Sequence, residues 1–162
     1  MKKVAVIMGS DSDWPVVKAA VEQLKDFGIP YEAHILSAHR TPVEAAAYAS
    51  SARENDIGVI ICAAGMAAHL AGAFAANTTL PVIGIPMKGG AVDGLDALLS
   101  TVQMPTGIPV ATVAVGGGDN AAYLAAQMLS IKYPILAEKL LAHREQMAAA
   151  IEADDRQIQD EV

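Results

Sequence analysis

The chain alternates short apolar runs with longer stretches of helical periodicity. Residues 3–8 (KVAVIM) are apolar without alternation, the pattern of a strand covered on both faces. From 13 to 27, Val16, Val17, Ala20, Val21, Leu24 and Phe27 fall on one stripe, which predicts a helix with Ser12 or Asp13 as N-cap and Gly28 as terminator. Residues 31–36 predict a second strand. Thr41, Pro42, Val43 and Glu44 read as a capping box with proline in the first turn, so a helix is expected from 42 to about 55. Residues 58–63 (GVIICA) predict a third strand, 67–77 a third helix and 81–85 a fourth strand. A helix at 93–102, a fifth strand at 109–115 and an apolar helix at 120–129 follow. Pro134 opens a long terminal helix that becomes charged after His143, and its acidic tail, 152–162, is expected to fray.

Five apolar strands separated by helices imply a parallel sheet with helices on both faces. The expected class is the three-layer, doubly wound α/β fold, flavodoxin-like, as one domain over 1–162 with a C-terminal helix from about 134. Open parallel sheets bind ligands outside the carboxyl ends of their strands, so the loops there are the place to look for chemistry.

Composition narrows the classes. Eighteen acidic against 11 basic residues give a net charge of −7, the wrong sign for a domain that neutralises nucleic-acid phosphates. Hydrophobic residues make up 53% but aromatics only 4%, so small and aliphatic side chains, including 32 alanines, must build the core. The single cysteine, Cys62, cannot form an internal bridge, and residues 1–8 lack a leader's apolar region, so a cytoplasmic protein is expected. Residues 57–87 contain no Asp, Glu, Lys or Arg, yet Gly58, Gly65, His69, Gly72, Asn77, Thr78, Thr79 and Pro81 divide them into pieces of strand and helix length, and no membrane span is expected. The charge-free stretches 57–87 and 97–118 exceed what one small sheet should bury, which points to self-association.

Three loops at strand ends carry unusual residues. Gly9, Ser10, Asp11, Ser12 and Asp13 combine a sharp strand exit with hydroxyls and helix N–H groups suited to a phosphate; plain helix capping is the alternative. This loop lacks both the dinucleotide fingerprint and a Gly-Lys-Ser/Thr ending, so neither NAD nor a nucleoside triphosphate is expected. Asp13, an acceptor only, should face sugar hydroxyls. In Ser37, Ala38, His39 and Arg40, the arginine offers a donor fork for phosphate or carboxylate and the histidine can exchange a proton, unless both are ordinary surface groups in a turn. In the third loop, residues 63–70, Ala64, Gly65 and Ala67 would let a flat ligand approach backbone amides. There His69 is either a ligand-facing group or a core histidine, and Met66 is expected to pack. Cys62 reads as an inert core thiol, His34 as a strand position and His143 as an exposed helix position. No His, Cys or carboxylate pair has metal-ligand spacing, and no metal is expected.

Six segments in order carry a resemblance: VAVIMGSDSDW at 4–14, SAHRTP at 37–42, AAGMAAHLAG at 63–72, LPVIGIPM at 80–87, GLDALLSTVQMPTGIPVATVAVG at 94–116 and NAAYLAAQML at 120–129. Together they resemble the N5-carboxyaminoimidazole ribonucleotide mutase family of purine biosynthesis, the PurE family. The resemblance implies isomerisation of N5-carboxyaminoimidazole ribonucleotide to 4-carboxy-5-aminoimidazole ribonucleotide without cofactor, metal or ATP, by a homo-octamer. It makes His39 and His69 the catalytic pair, with Gly9, Ser10, Asp11, Asp13, Ser37, Ala38, Arg40, Ala64, Gly65, Met66, Ala67 and Leu70 binding substrate.

The chain departs from the family where Met66 and Ala71 replace a glycine and a proline, where Lys88, Gly89 and Gly90 replace a Ser-containing segment, and in a short loop at 116–120. A related carboxylase that uses free CO2 is the nearest rival; those enzymes read SAHKT and lack the AAHL histidine, so Arg40 and His69 favour the mutase. A non-catalytic, flavodoxin-like phospho-ligand module is the remote alternative, with Asp11 and Asp13 imitating an acidic cluster but no lysine ending the fifth strand.

Overall fold

A computed structural model describes residues 1–162. Its five strands, β1 (Lys3–Met8), β2 (Tyr31–Ile35), β3 (Ile57–Ala64), β4 (Val82–Pro86) and β5 (Ala111–Thr112), form one sheet in the order β2-β1-β3-β4-β5. Every pairing is parallel, with Val6 opposite Ala33 on one side and Ile61 on the other. The chain leaves β1 toward β2 and then returns to lay β3 on its far side, so the direction of winding reverses between β1 and β3. That reversal opens a crevice at the carboxyl ends of the strands.

Alternation along the strands divides the core in two. Val4, Val6, Val59, Ile61, Ile83 and Ile85 point to the face covered by α1 (Trp14–Asp26), α5 (Gly118–Ser130) and the start of α6 (Pro134–Glu161). Ala5, Ile7, Ile60, Cys62 and Val82 point to the other face, under α2 (Pro42–Ser51) and α3 (Leu70–Ala76). The alanines settle how closely these layers approach: Ala121, Ala122, Ala125 and Ala126 are fully buried where α5 crosses α1 and the sheet. At Gly118 a Cβ would stand 2.3 Å from the Val16 carbonyl oxygen, so the start of α5 touches the α1 backbone directly. On the far edge α4 (Leu95–Val102) seats Thr101 over Gly84 of β4, where a Cβ would also collide.

The expected elements are all present, with shifted ends. Gly28 terminates α1 as expected, at φ +69° with its N–H bonded to the Lys25 carbonyl. Neither Ser12 nor Asp13 caps that helix by its side chain: Ser10 caps a preceding 3-10 turn, Asp11–Asp13, and the reciprocal capping box joins Ser10 to Asp13. The box expected at Thr41 and Glu44 is missing because the Thr41 hydroxyl is engaged by Ser37, and α2 stops at Ser51 rather than near 55. α3 begins at Leu70, three residues later than expected, because Met66 takes φ +52° and the chain bends before it can coil. α4 starts at Leu95 and not at 93, since Asp93 and Gly94 both have positive φ. β5 shrinks to two residues, and α6 runs through Glu161, with the acidic tail included in the helix. β2, counted among the apolar strands, is a largely exposed edge strand.

Candidate active site

Each of the three chemistry-bearing loops leaves the carboxyl end of a different strand, and the sheet order makes them neighbours. After β1, the Ser10 Oγ accepts the Ser12 N–H at 3.3 Å, and the Asp13 carboxylate accepts the Ser10 N–H at 3.1 Å. The loop is thus held by its own side chains, with α1 starting immediately behind it. Asp13 is only 9% exposed, and this burial raises its carboxyl above the ordinary range. The Ser10 and Gly9 N–H groups and the Arg40 charge pull the other way without cancelling it.

After β2, Ser37 organises the turn. Its Oγ accepts the N–H groups of both His39 and Arg40, at 3.3 and 3.1 Å, while its own N–H donates to Thr41 Oγ1 at 2.9 Å. Arg40 reaches back across the sheet, and its Nη2 donates to the Gly9 carbonyl at 2.8 Å. One arm of the guanidinium therefore ties the second loop to the first. The fork keeps further N–H donors for an anion held beside them.

After β3, the backbone turns sharply at Met66, and His69 occupies the position just before α3. The turn carries the His69 ring to His39: Nδ1 of His69 lies 2.8 Å from Nε2 of His39, with the rings edge-to-face at 85°. At that distance one ring nitrogen donates and the other accepts, so the pair holds a shared proton position.

These residues line a single half-open cavity of about 600 Å³. Gly9, Ser10, Asp13, Ser37, Ala38, His39, Arg40, Ala64, Gly65, Met66, Ala67, His69 and Leu70 all contribute to its wall. Asp11 does not; it lies outside this lining and accepts a hydrogen bond from the Ser10 hydroxyl at 3.1 Å. Met66, expected to pack, is instead 64% exposed at the mouth, because a positive φ on the loop leaves its side chain no core to enter. The lining also takes in Ser12, the second hydroxyl of the loop after β1, and a fourth loop, Met87 to Gly90, which the sequence reading does not assign to the site. The signal was available, since β4 ends there and the same strand-end rule applies to it.

The remaining singled-out residues lie elsewhere. Cys62 is buried in β3 and its thiol is pushed far up by desolvation, as befits an inert core group. His34 sits on the edge strand beside Tyr48 and Glu32. His143 is not an exposed helix position: Nε2 lies 2.8 Å from the Tyr123 hydroxyl, pinning α6 to α5. A second cleft, about 900 Å³, opens near the amino end of β4 between residues 50–54, 75–82 and 107–109. Its charged groups are Arg53 and Glu54 and it contains no histidine, so the proton chemistry belongs to the smaller cavity. No three His, Cys, Asp or Glu side chains cluster as a metal site, and no helix is long and apolar enough to cross a membrane.

Comparison with known proteins agrees with this geometry. A family model described as AIR carboxylase matches residues 3–150. Among curated relatives, the N5-carboxyaminoimidazole ribonucleotide mutase of Pyrococcus abyssi is 58% identical over 147 residues, covering 91% of this chain and 84% of that protein. A protein of the same name from Mycobacterium tuberculosis is 51% identical over 157 residues, covering 97% of this chain and 90% of its own. The crystal structure of Treponema denticola PurE superposes with a TM-score of 0.86 at 30% identity, covering 96% and 97% of the two chains. With the loops after β1, β2 and β3 and the whole sheet inside the matched region, the chain belongs to the AIR carboxylase family.

Proposed function

We propose that this chain is an N5-carboxyaminoimidazole ribonucleotide mutase, an isomerase of purine biosynthesis that moves a carboxyl group from the exocyclic nitrogen to C4 of the imidazole. The observation that carries the reading is the hydrogen-bonded His39–His69 pair in a cavity that also presents Arg40 and Ser10. The reaction needs a mobile proton and a place for a phosphate, and that cavity offers both.

The chemistry follows from what each group can do. His39, protonated, gives its proton to the exocyclic nitrogen as the C–N bond breaks and CO2 departs. C4, nucleophilic as an enamine carbon, attacks the trapped CO2, and neutral His39 then removes the C4 proton, restoring the starting charge. His69, whose Nδ1 is hydrogen-bonded to His39 Nε2, orients that ring and shares the proton between the two steps. Confinement makes recapture of CO2 near-unimolecular, worth up to roughly 7–11 kcal/mol in well-oriented systems. The small walls of Ala38, Ala64, Gly65, Ala67 and Leu70 suit a neutral gas molecule. Gly9, Ser10, Ser37, Arg40 and the amides opening α1 would hold the phosphate, and Asp13 the ribose. No cofactor enters this scheme.

The same reading makes the chain a single mutase domain that works in the cytoplasm as a homo-oligomer, an octamer. Val92, Leu95, Leu99, Val102 and Val115 are large, apolar and exposed along one side, and Ile135, Leu141, Met147 and Ile151 along α6. Surplus apolar surface of this kind is normally covered by a copy of the chain. A monomer by light scattering at micromolar concentration would overturn the assembly.

An ultraviolet assay decides the activity. Rapid product from N5-carboxyaminoimidazole ribonucleotide, with slow product from aminoimidazole ribonucleotide plus bicarbonate, both without ATP, is the expected outcome. Efficient carboxylation of the second substrate would make the chain a carboxylase that uses free CO2.

A further inference from the structure

We infer that Lys88 is a substrate-binding residue whose ammonium leaves Asp93 to hold the carboxylate that the reaction moves. The inference rests on the mutase reading and adds to it the recognition of the migrating group.

The loop after β4 forms one wall of the cavity. The Met87 N–H donates to the Ala64 carbonyl at 2.9 Å, which keeps this loop beside the one that carries Gly65 and His69. Lys88, Gly89 and Gly90 then line the same space as the two histidines. A Cβ at Gly90 would come within 3.1 Å of Met66 Cγ, so the two loops touch at the mouth.

Within that wall the Lys88 ammonium is poorly committed. Its partner is Asp93 Oδ2 at 3.4 Å, and the two side chains are 74% and 70% exposed. Pairs so solvated are marginal, and exchanging Asp93 for a carboxylate in a less solvated cleft is favoured. The backbone permits the movement. Gly89 has φ +132° with nothing within 4 Å of where a Cβ would stand, and Gly90 follows at φ +72°.

Charge and position assign the target. Lys88 and Arg40 are the two Lys or Arg residues that line the cavity. Arg40 is tied to the loop after β1, and β4 lies two strands away from β1 across β3, about 10 Å at normal strand spacing. The ligand has an anion at each end, a phosphate and a carboxylate. With Ser10, Arg40 and the start of α1 gathered at one end, Lys88 is the cation left for the other.

The substrate and the product both carry the carboxylate, whereas CO2 between them is neutral. A cation that grips the carboxylate therefore stabilises both ground states and should affect affinity more than the chemical step.

Calorimetric binding of 4-carboxy-5-aminoimidazole ribonucleotide and of the uncarboxylated aminoimidazole ribonucleotide tests the assignment. Lys88→Met is expected to weaken the carboxylated ligand about tenfold, the usual scale for one charge-assisted hydrogen bond, and to leave the uncarboxylated one unchanged. In turnover its KM should rise by a similar factor, with kcat unchanged or raised. Lys88→Arg should retain the discrimination between the two ligands. Asp93→Asn, tolerated at a positive φ, should bind the carboxylated ligand as tightly as the parent or more tightly. Equal binding of both ligands by the parent and Lys88→Met overturns the inference. Equal weakening of both, which would place Lys88 on the phosphate, overturns it as well, as does weaker carboxylate binding by Asp93→Asn. Failure of the parent chain itself to bind or convert the carboxylated ribonucleotide would instead overturn the mutase reading.

Discussion

His39 and His69 are 30 positions apart, and their rings meet with Nε2 2.8 Å from Nδ1. Each stands at the carboxyl end of a strand, β2 and β3, and β1 lies between those strands in the sheet. Side chains from both sides thus lean over the end of β1, where Ser10 and Arg40 are assembled. Two hydrogen-bonded rings above a loop of hydroxyls and amides are the arrangement that the proposed carboxyl migration uses.

The first prediction concerns that pair. His39→Asn should lower kcat by about 10²–10⁴, the ordinary contribution of a general acid–base group. His69→Asn should cost less, since His39 keeps its place over the substrate. The double variant should be no slower than His39→Asn alone, because two groups that act as one are not additive. Steady-state kinetics on folded variants provide the check, and additive losses would show that the rings work separately.

Asp13 sets binding against stability. Its carboxyl lies above the ordinary range because it is buried. A carboxyl raised in this way costs nothing to the fold when protonated, and its cost grows as pH climbs from the ordinary value through the folded one. Asp13→Asn, which can still accept the Ser10 N–H, should therefore melt at a higher temperature than the parent at neutral pH. The gap should close at about pH 3, where both states are protonated. The same change should weaken substrate binding about tenfold by removing a charged acceptor for the ribose hydroxyls. Melting curves across pH and a KM measurement test the two halves separately.

Glu32 has the opposite sign. Hydrogen bonds from Lys3 Nζ and from the Tyr48 hydroxyl hold its carboxyl below the ordinary value. A lowered carboxyl contributes stability that is present above the unfolded value and is lost as pH falls through the folded one. Glu32→Gln should then be less stable than the parent at neutral pH by no more than ~1 kcal/mol, the ceiling for a solvent-screened pair. Denaturant titrations should show that difference vanish below the normal carboxylate range; a difference that persists there would assign it to packing.

Gly118 tests the alanine-lined layer. A Cβ there would stand 2.3 Å from the Val16 carbonyl, a backbone atom that cannot swing aside. Gly118→Ala should destabilise the fold by about 1–3 kcal/mol, the range for overpacking a close contact. Urea unfolding measures it, and a neutral outcome would mean that α5 can slide on α1.

The alternation of apolar strands with helical stripes determined the layer architecture, because burial on both faces leaves the central strands β1, β3 and β4 almost no polar side chains. The motif residues at strand ends likewise determined most of the cavity, since Ser10, Asp13, His39, Arg40, Gly65 and His69 all line it. What local pattern could not supply was conformation that depends on partners. Thr41 reads as a cap until Ser37 takes its hydroxyl, and Met66 reads as core until a left-handed turn points it to solvent. His143 reads as surface until α6 folds back to place it against Tyr123. The contact between His39 and His69, and the place of Lys88 in the lining of their cavity, required the strand order, because a residue's neighbours across a parallel sheet are fixed by pairing and winding and not by spacing along the chain.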